Sequence, residues 1–358
     1  MLLIYGSTGY TGALIAEEAA RRKVPCVLAG RSAEKLRPLA ERLGLPFRAF
    51  ELSAPRLEGV RAVLHCAGPF SATSRPMVDA CLAARVHYLD ITGEVQVFED
   101  VLARDAEAKV RSVVLLPGTG FDVVPSDCLA KLLAEALPGA ETLSLAFASN
   151  GGSSPGTLKS SIEGAAQGGR VRRAGKLVAV PAAHEVRTIP FARKPRLAMA
   201  IPWGDLATAF RSTGIPDITV YMAAPPSLIR LARLTRLAAP LLGLAPVQRL
   251  LKSRVEKSVR GPSAEARARS RAELWGEATK GAQRVEAALE IPEGYTFTAD
   301  AAVTCAQRVL AGEVQPGAWT PSLAFGARFV TTLHGVTLRG PAAAAAQAPQ
   351  APPPETRA

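Results

Sequence analysis

The most constraining feature of this 358-residue chain begins at its sixth residue. A short apolar run, Leu2 to Tyr5, meets Gly6-Ser7-Thr8-Gly9-Tyr10-Thr11-Gly12, and an alanine-rich stretch with helical character follows from Gly12 to Arg22. A strand that turns at glycine directly into a helix opens a parallel α/β unit, and each glycine of the GxxGxxG spacing answers a steric demand there. Gly6 makes the tight turn, Gly9 lets the main chain come close to a pyrophosphate, and Gly12 lets the helix pack on the strand. The anion then rests on the unpaired N–H groups of the helix N-terminus. Residues Gly6, Ser7, Thr8, Gly9, Tyr10, Thr11 and Gly12 are thus the first part of a candidate dinucleotide site.

The next hundred residues repeat the alternation. Strands are predicted at Val24 to Ala29, Phe47 to Leu52, Ala62 to Cys66, His87 to Ile91 and Ser112 to Leu116. Helices are predicted at Ala33 to Leu43, capped by Ser32 and ended by Gly44 and Pro46, and near 74–85 and 96–109. The connection from Ser53 to Arg61 is too short for a full helix. The pattern predicts an α/β fold, a six-stranded doubly wound Rossmann domain over residues 1–124. After Pro117 it becomes irregular: a helix from Ser126 to Leu137, a strand from Thr142 to Ser149, a Gly/Ser-rich loop at 150–156, and alternating stretches near 271–279 and 284–291. These predict a second, α+β substrate domain over 125–339, with a helix at 298–310 that packs back on the first. The Ala/Pro/Gln tail, 340–358, lacks core-forming residues and is predicted to be disordered.

The end of the second strand selects the cofactor. An NAD site places Asp or Glu there to accept from the ribose 2′-hydroxyl, but the chain has Ala29-Gly30-Arg31-Ser32. Arg31 suits a 2′-phosphate, which a guanidinium binds bidentately, and Ser32 adds a hydroxyl donor; NADP(H) is the expected cofactor. Ala67, Gly68 and Pro69, after the fourth strand, are small and turn-forming where a dinucleotide fold passes the nicotinamide ribose.

Charge narrows the partners. The formal net charge of +12 is concentrated in two segments, 170–196 and 225–260, each with eight basic residues and one acidic. The remainder is near neutral and aromatics make up 5%, so no nucleic-acid surface is expected. In the second segment Arg230, Arg233 and Arg236 share one helical arc opposite Leu228, Leu231 and Leu234. Residues 226–252 therefore read equally as a peripheral membrane contact or as a surface helix. The first segment would suit an acidic or phosphorylated substrate. Five scattered cysteines without a CxxC pair, no metal-ligand spacing, and a start too short for a signal peptide point to a reducing, cytoplasmic setting with no metal, peripheral to a membrane if 226–252 binds lipid.

These motifs, with HCAGPF at 65–70, HYLDITGE at 87–94, PGTGFDVVPSD at 117–127 and GYTFTADAA at 294–302, resemble the saccharopine dehydrogenase-like oxidoreductase family, including its trans-acting enoyl reductases. The resemblance runs from residue 1 to about 338. It implies an NAD(P)-binding domain, a substrate domain and a redox reaction. The GxxGxxG loop departs from the GxGxxG usual in saccharopine-forming reductases, which points away from amino-adipate semialdehyde and glutamate.

Ligands in doubly wound sheets bind at the carboxyl ends of the strands. Asp90, Thr92 and Glu94 follow the fifth strand, and Asp122 and Asp127 the sixth. Asp90 and Asp122 are the candidate catalytic groups. Structural alternatives stand beside them: Asp90 can satisfy loop amides, and Asp127 with Ser126 can cap the following helix. No Tyr precedes a Lys by four positions, which removes the short-chain dehydrogenase relay. In the formal GxSxG at 152–156 Pro155 lacks the N–H that an oxyanion would need, leaving a flexible loop as the expectation. The expected function is an NADP(H)-dependent oxidoreductase, reducing a C=C or C=N bond of a hydrophobic or carrier-bound acyl substrate. An NADPH-binding redox sensor without turnover stays open, as does a homodimer.

Overall fold

Leu2–Tyr5 (β1) has no polar position on either face and is wholly buried, the pattern of a strand central to a sheet covered on both sides. A computed structural model, which describes residues 1–165, 168–242 and 244–343, places it there. β1, β2 (Cys26–Gly30), β3 (Phe47–Ala49), β4 (Ala62–His65), β5 (His87–Asp90) and β6 (Val114–Leu116) are all parallel, in the order 3-2-1-4-5-6. Between them run α1 (Tyr10–Arg21), α2 (Ala33–Leu43), α3 (Phe70–Ala84), α4 (Val95–Leu102) and α5 (Asp105–Arg111). No helix forms between β3 and β4. The stretch predicted as one helix over 96–109 is two, interrupted at 103–104. α3 starts four residues before the predicted position, because its first amides are held by a carboxylate from elsewhere, Glu94.

The second sheet is mixed and nine-stranded. α6 (Val124–Ala136) leads into β7 (Thr142–Ser149), and α7 (Pro155–Ala165) follows. Then come β8 (Gly169–Arg173), β9 (Lys176–Val180), β10 (Val186–Ile189), β11 (Arg196–Ala200), α8 (Asp205–Thr213) and β12 (Asp217–Ala223). A helical stretch, α9 (Pro226–Leu242), α10 (Ala245–Ser258) and α11 (Ala264–Arg269), precedes the long hairpin of β13 (Arg271–Lys280) and β14 (Gln283–Pro292). β7 pairs parallel with β12 and antiparallel with β13. The five short strands between 169 and 223 were not predicted, because basic and small residues interrupt their alternation. Their arginines are largely engaged: Arg172 with Glu99, Arg187 with Glu277, Arg193 with Glu290 and Arg196 with Glu273. Four of the eight basic residues of 170–196 are thus answered by carboxylates within the fold.

Two features cut across the predicted 125–339 domain. α12 (Gly294–Leu310) packs on α1, where Arg22 bonds Thr304 (2.8 Å) and Asp300. β15 (Gly317–Ala318), before α13 (Pro321–Phe325), adds a seventh strand to the parallel sheet beside β6. The predicted disordered tail also needs correction: β16 (Thr337–Ala343) includes residues 340–343 and pairs with β14. The rest of that tail, 344–358, lies outside the described residues.

Candidate functional site

The site is built from three turns at the carboxyl ends of the parallel strands. At the first, Gly6 has φ +85°, and a Cβ there would lie 2.8 Å from the Cβ of Ala67. A Cβ on Gly12 would come within 2.2 Å of the Gly6 carbonyl oxygen. The Gly6 amide donates to the Ala29 carbonyl (2.8 Å) and the Gly9 amide to the Gly6 carbonyl (3.0 Å). The N-cap of α1, Gly9, supplies no side-chain acceptor, whereas Ser32 and Glu293 cap α2 and α12. The amides of Tyr10, Thr11 and Gly12 at the positive end of the α1 dipole therefore fit an anion, and exposed Thr8 and Gly9 leave room for its approach. Ser7 and Tyr10 have other tasks for their side chains. The buried Ser7 hydroxyl donates to the Ala29 carbonyl, and the Tyr10 hydroxyl donates to the Pro262 carbonyl (2.6 Å) while accepting from Arg267 (2.9 Å).

Arg31 is exposed where β2 ends, and the Ser32 hydroxyl accepts from the Lys35 amide (3.3 Å), leaving its own proton free to donate. At the second turn Gly68 is exposed, and the Thr73 hydroxyl donates to the Ala67 carbonyl (2.7 Å). Pro69 leads into α3, whose Phe70 and Ser71 amides donate to the two oxygens of Glu94 (2.9 and 2.7 Å). A cap from another segment fixes this turn beside the glycine loop.

The third turn separates the two candidate catalytic carboxylates. Asp90 is fully buried: Oδ1 accepts from the Thr92 (3.0 Å) and Gly118 (2.8 Å) amides, and Oδ2 from the Tyr88 hydroxyl (2.8 Å). Burial raises its pKa to about 6 against these donors. Its geometry is that of a brace between the 90–94 and 117–122 turns. Asp122 is half-buried, and its carboxyl has no hydrogen-bond partner among the described residues. It lies over Gly93, where a Cβ would sit 2.6 Å from Oδ2. Burial, and then the charge of Glu94, raise its pKa to about 7. Trp203 Nε1 donates to the Asp122 carbonyl (2.7 Å), and Phe121, Phe147 and Trp203 stack in series as an apolar wall beside it.

Tyr295 was not singled out from the sequence, although it lies within the GYTFTADAA motif. Glu293 accepts from the Tyr295 and Thr296 amides, and the Thr298 hydroxyl accepts from the Phe121 amide (2.9 Å), locking this helix start to the third turn. The Tyr295 hydroxyl accepts from the Ser154 amide (2.5 Å) and lies 2.9 Å from Thr157 Oγ1, its ring edge-on to Tyr10 at 4.9 Å. Burial is the main cause raising its pKa, and Asp122 contributes. Ser154 is no nucleophile; its Oγ accepts from the Thr157 amide (3.2 Å) before Pro155 starts α7, so the predicted loop ends in a capped helix. Asp127 does not cap α6. It is buried and accepts from the Ser322 amide (2.8 Å), while the Ser126 hydroxyl donates to the Val123 carbonyl.

Residues 2–116 match the family model described as the saccharopine dehydrogenase NADP binding domain. The chain is 32% identical over 151 residues to the saccharopine dehydrogenase-like oxidoreductase of Mus musculus, covering 35% of each. It is 34% identical over 141 residues to the trans-acting enoyl reductase of Mycobacterium bovis (strain BCG / Pasteur 1173P2), covering 35% of this chain and 33% of that one. These matches span about a third of the relatives' lengths. The fold extends further: saccharopine dehydrogenase (L-Glu forming) from Saccharomyces cerevisiae superposes with a TM-score of 0.64 at 8% identity, covering 95% of this chain and 99% of that one. Residues 2–116 thus match the saccharopine dehydrogenase NADP binding domain, and the chain as a whole shares the fold of the yeast saccharopine dehydrogenase.

Proposed function

We propose that this protein is an NADP(H)-dependent oxidoreductase that reduces a C=C or C=N bond in a hydrophobic or carrier-bound acyl substrate. The observation that carries the proposal is Asp122, at a strand-end turn beside an apolar wall, whose carboxyl has no hydrogen-bond partner among the described residues and is raised to about 7. Such a group holds a proton near neutral pH and can deliver it.

When bound, the nicotinamide supplies the hydride. The α1 amides would hold the pyrophosphate, and Arg31 with Ser32 would receive the 2′-phosphate, which favours NADP(H) over NAD(H). Phe121, Phe147 and Trp203 present apolar surface to the acyl chain and exclude water. Asp122 would give its proton to the atom of the double bond that does not take the hydride and be left as carboxylate, to be reprotonated from solvent. The similarity to a protein named trans-acting enoyl reductase supports the acyl preference.

Single-turnover oxidation of protein-bound NADPH by a panel of enoyl thioesters and acyl imines tests the proposal. Oxidation by at least one member is expected. Tight NADPH binding with no oxidation across the panel would instead favour the non-catalytic NADPH sensor.

A further inference from the structure

We propose that the outward faces of α9 and α10 form a docking surface for an anionic lipid bilayer. Among the described residues seven large apolar side chains are exposed, and five of them belong to this segment: Leu228, Leu231 and Leu234 on α9, Leu250 on α10 and Leu244 at the N-cap of α10. Leu231 and Leu234 are 58% and 63% exposed. At 100° per residue Leu228, Leu231 and Leu234 form one stripe, bordered by exposed Arg230 and Arg233, while Ile229 and Ala232 turn inward. Arg249 and Arg254, beside Leu250 on α10, are likewise exposed. The Arg236 side chain lies outside the described part of the structure.

Charge decides the occupant. Residues 225–260 contain eight basic residues and one acidic. Four of the six arginines of 170–196 form ion pairs within the fold, whereas Arg230, Arg233 and Arg254 form none among the described residues. A second copy seated symmetrically on this face would set like charges against each other. The leucines stand out from a helix surface rather than lining a groove, so they fit a yielding apolar phase with anionic headgroups above it. No helix among the described residues is long and apolar enough to cross a membrane, so the pair lies in the interfacial plane. The Gln248 amide donates to the Ile162 carbonyl of α7 (3.0 Å), and on α7 the Ser160 hydroxyl donates to Glu94 (3.3 Å). The docking face is therefore one helix away from the candidate site. It does not depend on which reaction that site performs.

The test is co-sedimentation of the full chain with phosphatidylcholine vesicles, with and without phosphatidylglycerol, alongside NADPH binding as a check on folding. Binding is expected only to the anionic vesicles and should weaken as salt is added. The pair Arg230→Glu and Arg233→Glu should lower the partition coefficient by at least about 30-fold, because two cationic side chains no longer face the headgroups. Leu231→Ser with Leu234→Ser should lower it by about tenfold or more, and both double variants should still bind NADPH. The proposal is overturned by failure to bind anionic vesicles, by equal binding to neutral ones, or by folded variants that bind as wild type. Self-association abolished by the same substitutions would assign the face to a second copy instead.

Discussion

Replacing Gly12 by alanine tests the phosphate loop where the structure is least forgiving. The new Cβ would lie 2.2 Å from the Gly6 carbonyl oxygen and 3.0 Å from the Ser7 Cα, both main-chain atoms that no rotamer change can move. A relaxed carbon–oxygen contact is about 3.3 Å, so the loop and α1 must part by about 1 Å. That shift stretches an N–H···O bond of about 2.9 Å to near 3.9 Å, beyond hydrogen-bonding range. Hydrogen bonds to a charged acceptor contribute about 1.5–3 kcal/mol each. Losing two of the three α1 amides would raise the Kd for NADPH by about 100-fold or more. Overpacking would also destabilise the fold by about 1–3 kcal/mol, so the comparison needs a variant weakened elsewhere. Gly44→Ala serves, because Gly44 has φ +65° at the end of α2 with nothing within 4 Å of its Cβ. It should lose about 1 kcal/mol to backbone strain and keep its affinity. Binding is read by nicotinamide fluorescence and stability by urea unfolding. A folded Gly12→Ala protein that binds NADPH within about threefold of wild type would show that the loop does not hold the pyrophosphate.

Arg31→Ala should weaken NADPH at least tenfold more than NADH, because only the 2′-phosphate needs the guanidinium fork; equal weakening of both would remove Arg31 from that role. Asp122 must carry its proton to deliver it, so the rate of the chemical step should fall as pH rises through about 7. Asp122→Asn should be slower by about 10²–10⁴-fold and lack that limb, which a pH profile of single-turnover rates would detect. Asp90→Ala strands the buried Thr92 and Gly118 amides and should cost about 2–5 kcal/mol in urea unfolding, whereas the loss of a mere surface carboxylate would cost under about 0.5. In wild type, Asp90 is raised to about 6 in the folded protein, so it binds its proton more tightly there than in the unfolded chain. Its contribution to stability must therefore diminish as pH rises from about 4 to about 6, a window that a pH series on wild type and Asp90→Asn would isolate.

What was legible in the sequence is what local chemistry dictates. The β1–α1 unit needs only a four-residue apolar run and three glycines in sequence, and α2 advertises its start with Ser32 and its end with Gly44. The start of α3 was not legible, because its cap is Glu94, a residue from another turn. β15 is two residues long and joins a sheet whose other strands ended two hundred residues earlier, beyond the reach of any periodicity. At the site the same division holds. Asp90 and Asp122 look alike in the chain, each at or after the carboxyl end of a parallel strand, yet one has three donors on its carboxyl and the other none among the described residues. Tyr295 depends on Ser154 and Tyr10, contacts that no spacing encodes.

The most direct test of the account follows the hydride itself. Protein loaded with NADPH carrying deuterium at the nicotinamide C4 is mixed with enoyl thioesters and acyl imines, and products are analysed by mass spectrometry and NMR. One deuterium is expected in a reduced acyl product, placed on a single face, with Asp122→Asn slowing its arrival. Stoichiometric NADPH binding with no deuterium in any acyl product would contradict it.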